Sequence, residues 1–193
     1  MKKDKAKAKS AKKQSKPIGE KLLEFFKSKK AFFKFLGIFL TVIFLYYLSV
    51  YFFSDSVYKY YIDGTAILTA LILGIFVSGV TADGSVIGTP QYAVSISFGC
   101  EGTEPIILFI AAVLAFPVRF KYKVYGLIFG VLGLYFLNLI RIMALYFIGR
   151  SDQSLAETFH LEIFPLFFII LAFIIWSVWI KWAIRKDQLS SKS

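Results

Sequence analysis

The sequence holds one cysteine, one histidine and five prolines in 193 residues. A single cysteine excludes an internal disulfide, and one cysteine with one histidine falls short of a structural zinc shell. No metal and no cofactor is expected. Acidic side chains are scarce as well, with 12 Asp and Glu against 23 Lys and Arg, for a formal charge of +11. Charged residues make up only 18% of the chain, whereas 58% is hydrophobic and 19% aromatic. A soluble core of this length cannot hide so much apolar surface, so the solvent must largely be lipid. There is no internal repeat.

The positive charge is concentrated in three places. Lysines crowd the first thirty-four residues ("MKKDKAKAKSAKKQSK", then "KSKKAFFK"), and smaller clusters stand at "RFKYK" and "KWAIRK". A lysine-rich tail can bind nucleic acid. Because this one runs straight into an apolar span, it reads as a juxtamembrane segment held beside anionic lipid, and no nucleic-acid partner is expected. Residues 1–30 are expected to be a disordered basic tail, 31–185 a membrane-embedded domain, and 186–193 a polar C-terminal tail. The stretch Ala31 to Phe53 is too long for a cleavable signal core and lacks a small-residue cleavage site, so it reads as a retained anchor.

Five apolar segments stand out, at 31–53, 62–80, 104–117, 124–149 and 159–183. Crossing the hydrocarbon takes about 20 helical residues, with a range of roughly 17 to 25. The first, fourth and fifth qualify easily. The third is short, with Pro105 in its first turn and Pro117 at its end, and the second is borderline. Between them, "TADGSVIGTPQYAVSIS" carries Asp-Gly and Thr-Pro turn signals around short alternating runs, which predicts a small hairpin or ordered loop before Cys100. The fold class expected is therefore an all-α integral membrane bundle of four to five segments, with a small external hairpin. Placing all three basic clusters in the cytoplasm requires an even number of crossings. Either 62–80 or 104–117 then fails to span. The first choice puts Cys100 on the outer face, together with Arg141, about 12 Å below the outer end of its segment at 1.5 Å per residue, and with His160. That topology is favoured.

Cys100, Arg141 and His160 make a constellation. An imidazole can take a thiol proton to generate the nucleophilic thiolate, and a guanidinium can stabilise an oxyanion. An arginine at that depth is costly and is normally paired or functional. Asn138, three residues before Arg141, shares its helix face and can orient the arginine or a substrate. Each residue also has an ordinary use. A lone buried cysteine is usually a small hydrophobe, a histidine at a helix start often caps it, and Arg141 can pair with Glu101, Glu104 or Glu157. Arg150, at a helix end, suits snorkelling to headgroups. Gly99 and Gly102, on either side of Cys100, would let a substrate backbone approach closely.

The stretches "VSISFGCEGTEPIILFIAAVLAFP", "LNLIRIMALYFIG" and "FHLEIF" resemble the exosortase/archaeosortase family of integral-membrane cysteine transpeptidases, most closely the exosortase H branch. The resemblance covers roughly residues 60 to 180, in the order Cys, Asn-x-x-Arg, His. It implies a nucleophile at Cys100, the arginine of a triad at Arg141 and its histidine at His160. Glu101 stands where relatives often carry a polar or small residue, so its charge is expected to bear on the thiol or on specificity. The resemblance further implies cleavage of exported proteins at a C-terminal signal of motif, transmembrane helix and basic tail. The new carboxyl end would then pass to a lipid acceptor at the outer face of the cytoplasmic membrane. A membrane cysteine protease without transfer and a non-catalytic scaffold are competing readings, and a small transporter or channel is disfavoured because the polar residues gather at one face.

Overall fold

In a computed structural model, the structure describes residues 17–27, 29–53, 58–97 and 99–190. The chain is mostly helical. In order come α1 (Ile18–Lys27), α2 (Lys29–Phe53), α3 (Lys59–Leu73), β1 (Thr81–Asp83), β2 (Val86–Thr89), β3 (Tyr92–Ser95), α4 (Thr103–Ala115), α5 (Phe120–Ser151), α6 (Gln153–Thr158), a π-helical turn (Phe159–Ile163) and α7 (Phe164–Ser190). Residues 1–16 of the expected tail lie outside the described residues. Residues 18–27, expected within that disordered tail, are helical instead, because Ile18, Leu22 and Phe25 recur at helical spacing among charged neighbours. At the other end, α7 continues through residues 186–190, so most of the expected polar tail is helix.

Three helices among the described residues are long and apolar enough to cross a membrane: 29–52, 120–151 and 153–190. Large apolar side chains point outward from them, as Phe129, Phe136 and Phe173 do, and lipid is the solvent that accommodates such a surface. The shorter apolar helix α4 has 13 residues. It rises only about 20 Å at 1.5 Å per residue, against a hydrocarbon thickness of about 30 Å. The expected segment 62–80 stops as a helix at Leu73 and continues as turns. It packs along one half of α5, where Thr65 and Tyr135 share a hydroxyl hydrogen bond of 3.2 Å.

The packing divides the molecule lengthwise. In one half, Phe109, Leu134, Trp179 and Ala183 form an apolar core between α4, α5 and α7. Gly126 and Gly130 make it possible, since side chains there would collide with the rings of Trp179 and Phe109. The Trp179 indole donates to the Tyr122 carbonyl at 3.0 Å, and the Tyr122 hydroxyl donates to the Lys186 carbonyl at 3.1 Å. At this end Arg119 pairs with Asp187 at 3.0 Å, and α1 presents Lys21 and Glu24 to the same cleft as Asp187. The basic clusters of α1 and α2, of "RFKYK" and of "KWAIRK" therefore meet at one end of the bundle.

The other half carries the second core, built from Leu73, Ile87, Ile96, Cys100, Ile142 and Tyr146. Residues 81–95 form a three-stranded antiparallel sheet in the order β1-β2-β3, one strand more than the expected hairpin. Tyr92 fastens this sheet to α5, with its ring edge-on to Tyr146 at 5.5 Å and its hydroxyl over Gly149. The sheet thus hands the chain to Cys100 from a fixed position.

Candidate active site

Cys100 sits in the tight turn between the sheet and α4, its N–H donating to the Ser97 carbonyl at 2.9 Å. Gly99 and Gly102 hold φ of +88° and +77°, in the left-handed region that favours glycine. The Gly-Cys-x-Gly pattern is therefore a turn signature. Gly102 has a second reason to lack a side chain, because a Cβ there would lie 2.5 Å from Cγ of Asn138. The two expected orienting glycines thus shape the loop and seat it against α5.

α5 supplies Asn138 and Arg141 on one buried face, as their spacing predicts. Arg141 Nη1 donates to the Gly99 carbonyl at 3.3 Å, which ties the arginine directly to the cysteine loop. Its guanidinium also stacks over Phe164 and Phe168 of α7, 5.6 and 5.4 Å from the ring centroids. Cys100 and Arg141 are only 4% and 3% exposed. Arg141 makes no ion pair with Glu101, Glu104 or Glu157 among the described residues, and its Nε and Nη2 have no hydrogen-bond partner there. Both amide atoms of Asn138 are likewise buried without a partner. Buried donors left open in this way are costly and rare, and they are groups a ligand oxygen can satisfy.

His160 lies in the π-helical turn, and the sequence explains that turn. Pro165 has no N–H to offer the Leu161 carbonyl and its ring crowds that oxygen, so the helix widens and Phe164 N–H bonds to the Phe159 carbonyl instead. The histidine lines two cavities. It shares one of about 250 Å³ with Gly99 and Arg141, and another of about 360 Å³ with Cys100. Its Nδ1 has no partner among the described residues. The structure therefore brings Cys100, Arg141 and His160 to one end of the bundle, away from the basic clusters. Arg150 is exposed at the end of α5.

Burial pushes the Cys100 thiol up from its ordinary range, Arg141 pulls it down and Glu101 raises it again. Burial is the largest influence, so the resting group is a thiol. Glu101 itself is fully buried and accepts a hydrogen bond from the Thr103 hydroxyl at 2.8 Å, while Tyr46 bonds to Thr103 at 2.7 Å. Tyr61 donates to the Glu101 carbonyl at 3.1 Å. This network of tyrosines from α2 and α3 around Glu101 was not foreseen. Nothing in local spacing connects Tyr46 to Thr103.

The membrane helical bundle thus gathers a thiol, an imidazole and a buried guanidinium at one end. The family model for transmembrane exosortases (Exosortase_EpsH) matches residues 22–178, and the chain belongs to that family. The match begins within α1, ahead of the region on which the sequence resemblance rested. No curated protein and no solved structure matches the chain.

Proposed function

We propose that this protein is a membrane cysteine transpeptidase that removes the C-terminal sorting signal of exported proteins and transfers the new C-terminus to a lipid-derived acceptor. One observation carries the reading. A buried thiol, an imidazole whose Nδ1 has no partner among the described residues and an arginine whose Nε and Nη2 are likewise open converge at the end of the bundle opposite the basic clusters. With the basic end held in the cytoplasm, α2, α5 and α7 cross, the shorter α4 with the extended residues after it returns the chain toward the basic end, and the site opens on the outer face. α3 stays in the outer half. The basic tail of a substrate obeys the same rule, which holds its scissile bond at the level of Cys100.

In this mechanism His160 takes the Cys100 proton, and the sulfur attacks the scissile carbonyl carbon. Arg141 N–H groups stabilise the oxyanion. The C–N bond breaks, the leaving amine takes the proton back from His160, and a thioester remains on Cys100. An acceptor amine or hydroxyl attacks the thioester, giving the transferred product and restoring the thiol. Apolar walls around the cavity (Ile43, Leu108, Phe168 and Ile169) favour an amphiphilic acceptor over water. The test is the mass of the mature substrate's C-terminus in cells carrying this protein. Truncated chain plus a lipid-derived group supports transfer, and a free carboxylate as sole product makes the protein a protease.

A further inference from the structure

β2 covers one edge of β3, and the other edge has no partner strand among the described residues. The register tells which backbone groups face that open edge. Ile96 N–H donates to the Ser85 carbonyl at 2.9 Å, and the pairing continues as Val86↔Ser95, Ile87↔Val94, Gly88↔Ala93 and Thr89↔Tyr92. Hydrogen-bonded pairs alternate in an antiparallel ladder, so Tyr92, Val94 and Ile96 turn their N–H and C=O toward β2. Ala93 and Ser95 turn theirs away, and both residues are exposed.

A cleft of about 360 Å³ runs along this edge. Every residue from Tyr92 to Ile96 lines it without a gap. Side chains alternate between the two faces of a strand, so a cleft over one face would touch alternate residues. An unbroken run places the cleft beside the strand. Its remaining walls include Gln153 and Glu157 of α6, and Cys100 and His160 line the same space.

We infer that the open edge of β3 is the substrate cradle. An extended segment of the substrate adds as a fourth strand, exchanging backbone hydrogen bonds with Ala93 and Ser95 and leading its scissile peptide to Cys100. Strand addition gives affinity through the main chain and leaves side-chain selection to neighbouring pockets. The inference rests on Cys100 being the nucleophile, and it adds the surface that aligns the peptide for attack.

The experiment measures alkylation of Cys100 in the full-length protein in detergent micelles. The probes are mixed-sequence tetrapeptidyl chloromethyl ketones, with chloroacetone as the reagent lacking a peptide. In each, the Cys100 sulfur displaces chloride and forms a thioether. The peptidyl reagent is expected to react about tenfold faster, as two backbone hydrogen bonds allow. N-methylation of its amides removes that advantage. Ser95→Pro deletes an edge-facing N–H at a position where an edge strand tolerates proline, and it lowers the advantage about threefold. Ser95→Ala keeps the N–H, loses only the side-chain contact with Ser85, and keeps the advantage. Chloroacetone rates stay constant across the variants. A peptide advantage insensitive to both N-methylation and Ser95→Pro overturns the cradle while leaving the nucleophile standing. Failure of both reagents to label Cys100 overturns the nucleophile and the cradle with it.

Discussion

Replacing Gly102 with alanine places a methyl group where the structure has no room. The backbone there holds φ of +77°, and the new Cβ would sit 2.5 Å from Cγ, 2.7 Å from Oδ1 and 2.9 Å from Cβ of Asn138. Left-handed backbone costs a non-glycine residue about 1–2 kcal/mol. Overpacking of a buried contact adds about 1–3 kcal/mol. Together these predict a loss of about 2–5 kcal/mol, or a fall in Tm of about 4–20 °C for a chain of this size. Gly79 is the control, because it shares the φ of +77° but has nothing within 4 Å of its notional Cβ. Gly79→Ala therefore pays the conformational cost alone, and the difference between the variants isolates the contact with Asn138. Adding Asn138→Ala to Gly102→Ala removes the closest two atoms and recovers part of that difference. The assay is thermal unfolding in detergent micelles, with Cys100 alkylation recorded on the same samples. Equal Tm shifts for Gly102→Ala and Gly79→Ala would refute the proposed seating of the cysteine loop on α5.

Alkylation of Cys100 by iodoacetamide should titrate above the range of a free thiol, because burial is the largest influence on it. Arg141→Gln should move that midpoint further up and Glu101→Gln should move it down, so opposite shifts would contradict the charge arrangement. Pro165→Ala returns an N–H to the π-helical turn, and its relaxation to an α-helix would rotate His160 by about 100° relative to α7. As the chain has a single histidine, its imidazole NMR signal should shift on that substitution, and an unchanged signal would show the turn has another cause. Asp187→Ala removes a partly exposed ion pair to Arg119. The expected cost in stability is no more than about 1 kcal/mol, and a larger loss in thermal unfolding would mean that the basic end is held more tightly than its exposure implies.

The membrane class and most helix positions were legible because long apolar runs leave no other use for the residues, and the charge clusters fixed which ends belong together. The Asn138–Arg141 pair was legible for the same kind of reason, since their spacing alone places both on one face of a helix. What local sequence concealed was anything decided by contacts between distant segments. Segment 62–80 carries enough apolar residues to suggest a span, yet it stops at Leu73 and its buried face packs against α5 and the small sheet. α1 was grouped with the tail because lysines crowd the sequence on either side of it, although it carries only Lys21 and Lys27 itself. Gly102 was read for what it would admit, whereas its neighbour Asn138 shows what it must exclude. The buried setting of Glu101 depends on Tyr46 and Tyr61, which lie 55 and 40 positions earlier in the chain.

The central claim is that Cys100 cleaves the C-terminal signals of exported proteins. It is tested most directly by comparing the C-termini of exported membrane-anchored proteins in cells carrying the wild-type chain or Cys100→Ser. Membrane levels of the two chains are matched, and the C-terminal peptides are identified by mass. The account predicts a set of proteins truncated ahead of their terminal helix and basic tail with the wild type, and the same proteins at full length with Cys100→Ser. Equal truncation in both strains would contradict it.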